Sequence, residues 1–273
     1  MTPSGIITLT TDFGRRDPYV AMMKGVILSI YRGGRIVDIT HQIAAGSIAE
    51  GASILKDAHR FFPSGTVHVG VVDPGVGGPR RPIAVVAENY FFVGPDNGLF
   101  WTLIEADGQC DVIRLTHERY WMNKISATFH GRDIFAPVAA HLSQGVDPFL
   151  MGETIDDPMP LQVPLPRKEG SALVGEIVRV DHFGNLITNI TREHLAPFLE
   201  SKDLTIRIGE LALNTLSTAY SDVPEGQPLA LIGSSNTLEI AVNGGNAAHD
   251  LGGECRVGTA VLVLSKKGRA NHI

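Results

Sequence analysis

The hydrophobic pattern of this chain changes character once, and the change falls on a proline-rich segment. Four prolines stand between residues 158 and 166, as Pro158, Pro160, Pro164 and Pro166. Proline fixes φ and removes a backbone donor, so such a run reads as an extended connector and not as a helix or a central strand. Ahead of it, apolar β-branched runs alternate with helix-period runs. Beyond it, short strand-like runs dominate. The expected organisation is therefore an α/β N-terminal domain with a mixed central sheet, residues 1–165, and a smaller all-β, barrel-like C-terminal domain, residues 166–273.

In the first part, Ile6 to Thr11 reads as a buried strand ending at Asp12, and Asp17-Pro18 reads as an N-cap and first helical residue of a helix running to Tyr31. Arg35 to Ile39 is a second strand. Ser47 and Glu50 form a capping-box pattern that opens a helix ending near Phe62-Pro63. Thr66 to Val72 is a third strand, Pro82 to Ala87 and Tyr90 to Val93 form a hairpin around Glu88-Asn89, and a short helix follows from Leu99. A strand near Val112-Ile113 and a helix over Asp133 to Ser143 complete this half. In the second part, strand-like runs cover 173–180, 186–190, 204–208, 229–232, 238–242 and 257–264, with one helix near Thr191 to Glu200.

Charge and cysteine usage narrow the function classes. With 23 Lys and Arg against 29 Asp and Glu the net charge is −6, and basic residues come only in pairs such as Arg15-Arg16, Arg80-Arg81 and Lys266-Lys267. No nucleic-acid partner is expected from that distribution. The longest uncharged stretches, Ile134 to Val146 and Gly226 to Leu238, have 13 residues. That is short of the ~18 of a membrane span. The N-terminus lacks a basic and apolar leader, and Cys110 and Cys255 have no metal-type spacing, so a cytoplasmic protein without a zinc site is expected.

Ligands of open α/β sheets bind beyond the carboxyl ends of the strands, which directs attention to three segments. They are Thr10-Thr11-Asp12-Phe13-Gly14 with Asp17, Val71-Val72-Asp73-Pro74-Gly75-Val76-Gly77 with Arg80, and Thr128-Phe129-His130-Gly131-Arg132-Asp133. Taken singly, Asp73 is ordinary turn chemistry, Asp12 an Asx-turn and His130 a structural histidine. Their joint placement beside glycines favours a ligand site. Neither a dinucleotide fingerprint nor a P-loop nor a Gly-x-Ser-x-Gly elbow is present. A metal site assembled from Asp12, Asp73, His130 and Asp133 stays open at this point. In the second part, Asp181-His182-Phe183-Gly184-Asn185 offers a cation partner, a stacking face and an amide, or equally a hairpin turn with a core phenylalanine.

Read together, these segments resemble the S-adenosyl-L-methionine hydroxide adenosyltransferase family, relatives of the fluorinases and chlorinases. The resemblance runs from Thr10-Thr11-Asp12-Phe13-Gly14 through Asp38-Ile39-Thr40-His41, Asp73 to Gly77, Gly94 to Leu99, Thr128 to Asp133 and Asp181 to Asn185 to Leu238-Glu239-Ile240-Ala241. It implies cleavage of S-adenosylmethionine at ribose C5′ to adenosine and methionine without a cofactor or metal. It also implies a homotrimer whose sites lie between the N-domain of one subunit and the C-domain of the next. By resemblance, Asp73, Arg80 and His130 hold and activate water, with Arg81 as the rival arginine, and Asp12 grips the ribose hydroxyls. Asp17 and Asp181 face the methionine amine and Ser234 its carboxylate. Phe183 and Tyr220 flank adenine, Asn185 reads its edge, and the backbone near Val242 to Gly244 adds a contact.

Halide-using relatives carry tyrosine where Asp73 and His130 stand, and water, unlike halide, must lose a proton, so these residues favour water. Ser235 replaces an arginine used by fluorinases, and Gly46 replaces an aromatic. The rival expectations are a protein that binds S-adenosylmethionine or adenosine without turnover, a metal-dependent phosphohydrolase, and a halide-using halogenase.

Overall fold

The computed structural model describes residues 1–199, 204–252 and 255–265. Glu200 and the Lys266-Lys267 pair lie outside the described residues. The chain divides into two compact units, Met1–Gln162 and Val163–Ile273.

The first unit carries a seven-stranded mixed sheet. Its strands are β1 (Ile6–Thr11), β2 (Arg35–Thr40), β3 (Thr66–Val71), β4 (Pro82–Val86), β5 (Tyr90–Pro95), β6 (Asp111–Leu115) and β7 (Gly152–Ile155), in the order β2-β1-β3-β5-β4-β6-β7. β1 pairs in parallel with both β2 and β3, and β3 with β5, while β4, β6 and β7 run antiparallel to their neighbours. Helices α1 (Tyr19–Ile30) and α4 (Ala136–Ser143) cover one face through Met23, Ile27, Val138 and Leu142. Helices α2 (Ile48–Ala58) and α3 (Trp101–Asp107) cover the other through Leu55 and Leu103. β3 is buried along its whole length and β1 nearly so, which explains their continuous apolar, β-branched reading.

The chain leaves β1 for β2 on one side and returns past β1 to β3 on the other. The strand order therefore reverses between β1 and β3, which stay paired to their last residues, Thr11 with Val71, so the loops that follow diverge at the position where such sheets bind ligands. Asp12 follows β1, and Asp73 follows β3 by two residues.

The second unit is built from β8 (Arg167–Glu169), β9 (Ala172–Val180), β10 (Leu186–Thr191), β11 (Leu204–Ile208), β12 (Leu211–Leu213), β13 (Pro228–Ile232), β14 (Thr237–Val242) and β15 (Ala260–Ser265). Seven of them follow the antiparallel order β12-β11-β15-β9-β10-β14-β13, with β8 on β9. A bridge between Ser217, just past β12, and Leu231 of β13 draws the two ends together, so the sheet is nearly a barrel. Ile177, Leu186, Ile206, Leu238, Ile240 and Val261 fill it, and α5 (Arg192–Leu199) adds Leu195 and Phe198.

Several local expectations are corrected. Pro18 has ψ 4°, outside the helical range, so α1 begins at Tyr19 with no side-chain cap and Asp17 stays exposed ahead of it. The Ser47-Glu50 capping box does not form, because the Glu50 carboxylate accepts from the Ala44 amide at 3.0 Å. The segment expected as one helix from Asp133 opens as a π-turn over Gly131–Phe135, and Pro137 in the first turn of α4 supplies no amide to extend the α pattern backwards. The run from Val257 is a turn until Ala260, closed by the Thr259 amide on Arg256 O. Edge strands β7, β8 and β12 went unread, being three or four residues long, and β8 is exposed throughout.

Candidate functional site

At the end of β3, Asp73-Pro74-Gly75 makes the tight turn its composition suggests, with the Val76 amide on Asp73 O. The turn also turns the Asp73 side chain inward, where it is 4% exposed. Arg80, leaving the same loop, grips it with Nε on Oδ1 at 3.0 Å and Nη2 on Oδ2 at 2.5 Å. The same Nη2 lies 2.6 Å from His130 Nδ1, and the guanidinium stands 5.4 Å from the Phe135 ring. One arginine thus holds a carboxylate and an imidazole together.

The protonation of His130 follows from that geometry. A guanidinium has no lone pair to offer, so at 2.6 Å the His130 Nδ1 accepts, and a neutral ring then carries its proton on Nε2. Burial and the Arg80 charge hold the His130 pKa below its ordinary value, against weaker opposing pulls from Asp73 and Asp133. His130 stands at the entry to the π-turn, a wide turn that often marks functional positions. The turn is secured by Asp133, 1% exposed, which accepts from the Ser126 amide at 2.8 Å and from Arg132 at 2.6 and 3.0 Å.

Glycine closes this assembly at one point where nothing else fits. Gly77 has φ 75°, and a Cβ there would collide with the Ala127 carbonyl oxygen. The loop carrying Asp73 and Arg80 is therefore pressed against the loop ahead of His130. Asp12 joins from β1: its Oδ2 accepts from the Gly46 amide at 2.8 Å, and Gly46 faces Pro74. The neighbouring Phe13 ring packs edge-on against Phe129, at 5.7 Å between centroids. Asp12, Asp73, Arg80 and His130 are thus brought together. Asp17 is exposed and makes no ion pair among the described residues. Arg81 turns away, to Asp96 at 2.7 Å and Asp157 at 2.7 Å.

Two carboxylates of the metal alternative are engaged by arginines, Asp73 by Arg80 and Asp133 by Arg132. Among the described residues no three His, Cys, Asp or Glu side chains gather as a metal would require.

In the second unit, Asp181 accepts from the Phe183 amide and the Asn185 amide at 2.9 Å and from Asn185 Nδ2 at 3.0 Å. This is a hairpin turn between β9 and β10, but its phenylalanine is not core: Phe183 is 73% exposed at the tip, while Asn185 is buried. Tyr220 donates its hydroxyl to Glu239 at 2.6 Å. Burial, Glu239 and Asp181 raise the Tyr220 pKa, and burial with the Asp181 charge raises that of Glu239 despite the Tyr220 hydrogen bond. Ser234 lies in the turn between β13 and β14, Val242 ends β14 buried, and Gly244 follows with φ 67°. The Asn243 side chain donates to Val223 O at 2.8 Å.

Glu239 was not singled out from sequence, nor was the pairing of Thr11 with His41 at 2.9 Å. Both lie inside segments that were noticed, Leu238 to Ala241 and Asp38 to His41, but a buried partner is invisible until strands are placed side by side.

The model of the SAM hydroxide adenosyltransferase N-terminal domain matches residues 7–152, and that of the C-terminal domain matches residues 175–260. The chain is 38% identical over 255 residues to the (R)-S-adenosyl-L-methionine hydrolase of Salinispora tropica, covering 92% of this chain and 95% of that protein. It is 37% identical over 251 residues to the enzyme of the same name from Thermus thermophilus, covering 89% and 93%. A fluorinase from an Actinoplanes species is more distant, at 29% over 276 residues, covering 89% and 93%. The crystal structure of an uncharacterized conserved protein from Thermotoga maritima superposes with a TM-score of 0.88 at 33% identity, covering 94% of this chain and 99% of that one.

Proposed function

The chain belongs to the SAM hydroxide adenosyltransferase family, and from that membership we propose that it hydrolyses S-adenosyl-L-methionine to adenosine and L-methionine. An oxygen of water or hydroxide attacks ribose C5′ opposite the sulfonium. The O–C5′ bond forms, the C5′–S bond breaks, its electron pair leaves with sulfur as the thioether of methionine, and one proton is released from the nucleophile. A sulfonium leaves readily, so the protein's task is to align a nucleophile and exclude bulk water.

The observation that carries this reading is Arg80 joining Asp73 to His130 at the strand-order reversal. In the proposed site His130 offers its Nε2 proton to the nucleophile's lone pair. Each Asp73 oxygen uses one lone pair on Arg80 and keeps another, so Asp73 is the acceptor of the proton. Asp12 holds the ribose hydroxyls. In the trimer that the family implies, the C-domain groups come from the adjacent subunit: Asp17 and Asp181 face the methionine amine, Ser234 its carboxylate, Phe183 and Tyr220 flank adenine, and Asn185 and the Val242 to Gly244 backbone reach the base edge. The protein acts as a cytoplasmic homotrimer, which sedimentation should report as three times the chain mass.

The test is chromatography of products after incubation with S-adenosylmethionine in oxygen-18 water. Adenosine labelled at the 5′ oxygen, with equimolar methionine, is the expected result. Intact substrate from about pH 6 to about pH 10, or a chlorinated nucleoside that depends on chloride, would replace hydrolysis with binding alone or with halide transfer.

A further inference from the structure

Asp38-Ile39-Thr40-His41 carries no ligand contact in the reading above, yet its last residue is tied more closely than any other on that edge. β2 is the outer strand of its sheet and is largely exposed, whereas the His41 side chain just past it is 4% exposed. His41 Nδ1 lies 2.9 Å from Thr11 Oγ1, on the fully buried last residue of β1. Its Nε2 lies 3.1 Å from Asp38 Oδ1, a polar contact short of an aligned hydrogen bond, and Asp38 in turn takes Lys24 at 2.6 Å. The backbone of His41 is engaged as well, accepting from the Gly14 amide at 2.7 Å.

These contacts bracket two residues. Thr11 is held by the His41 ring and Gly14 by the His41 carbonyl, so Asp12 and Phe13 are pinned at both ends. Thr11 Oγ1 also accepts from the Phe13 amide at 3.2 Å. The directions agree: an ionised Asp38 places the His41 proton on Nε2, the bare Nδ1 accepts the Thr11 hydroxyl proton, and the Thr11 oxygen keeps lone pairs for Phe13 N–H.

We propose that His41 is the positioning residue for Asp12, acting through Thr11 and braced by Asp38, without touching the ligand. It sets the Asp12 carboxylate, and hence the ribose, against the nucleophile. The proposal rests on the reading that Asp12 grips the ribose.

The experiment is a double-mutant cycle in steady-state hydrolysis of S-adenosylmethionine. Thr11→Val removes the hydroxyl at nearly constant size, and Thr11→Ser keeps it. Thr11→Val and His41→Ala should each lower kcat/KM about tenfold, with KM rising, and Thr11→Ser should stay within about threefold of the unmodified protein. In an Asp12→Asn background both substitutions should change kcat/KM by less than about twofold, because a residue acting through Asp12 has nothing left to act on. Effects that multiply in that background, or a Thr11→Val protein indistinguishable from Thr11→Ser, would overturn the proposal while leaving hydrolysis standing. Absence of turnover in the unmodified protein would overturn both. If His41→Ala unfolds, the Thr11→Val and Thr11→Ser pair decides the matter alone, its thermal midpoints confirming that both fold.

Discussion

Arg80 is the residue whose contacts constrain the chemistry most, because a single guanidinium nitrogen serves Asp73 and His130 at once. A lysine carries its three donors on one tetrahedral nitrogen and cannot reproduce the planar fork that places Nε and Nη2 on the two carboxylate oxygens while Nη2 also reaches the imidazole. Arg80→Lys should therefore lower kcat by about two to three orders of magnitude, with KM for S-adenosylmethionine changing only a few-fold, as read by initial rates. The pH profile follows from the same contact. The His130 pKa is lowered, first by burial and then by Arg80, so the ring takes up its second proton at a lower pH than an ordinary histidine does. The acidic limb of kcat should be centred below pH 6.5, where protonation of Nδ1 breaks the bond to Arg80. A limb centred at or above 6.5 would count against a neutral His130. At this scale the sequence was legible in part. Asp73, Arg80 and His130 are named together from resemblance, while the contact of Arg80, and not Arg81, with both Asp73 and His130 and the site of the His130 proton required distances.

Among elements, the loops after β1 and β3 and the turn before α4 make the proposed site, and each depends on a local rule of its own. The Asp73 loop meets residues 126–128 only because Gly77 has no side chain. Gly77→Ala would place a Cβ in a left-handed conformation and against a carbonyl, which costs about 1 kcal/mol for the conformation alone. The expected result is a lower thermal midpoint and a fall in kcat of more than about tenfold, as the Arg80 contacts shift. An unchanged rate would show that the loop tolerates displacement. Most strands and helices were readable from apolar periodicity, since their burial imposes it. The helix expected from Ser47 does begin there, but its capping bonds, like the cap expected at Asp17-Pro18, do not form because a cap is a competition among neighbours: Pro18 has a non-helical ψ, and Glu50 takes the Ala44 amide. The π-turn at Gly131 left no periodic signature, since a single wide turn is decided by what packs around it.

Over the whole molecule, stability carries a pH dependence that lies away from the site. His68 is fully buried on β3 among His59, Phe62, Tyr90 and Phe92, bonded to Thr8 at 2.8 Å and stacked on Phe92 at 5.3 Å, and burial with the neighbouring His59 lowers its pKa to about 3. The unfolded chain binds a proton there near pH 6.5 and the folded chain does not until about pH 3. Its contribution is complete above pH 6.5 and is lost at about 1.4 kcal/mol per pH unit below it. Urea unfolding between pH 7 and pH 5 should show that decline, and His68→Asn should reduce the slope by one proton. The amino-acid sequence by itself determined the two-part plan and most of the strands and helices, because burial forces apolar periodicity and four prolines interrupt it. It also carried the residue types of the chemistry. Only the tertiary structure decided which of them meet. The order β2-β1-β3 sets the loops carrying Asp12 and Asp73 side by side, and Arg80 reaches a histidine 50 residues away. Such contacts are set by strand order and packing, which depend on the whole chain at once and leave no mark in any local run of residues.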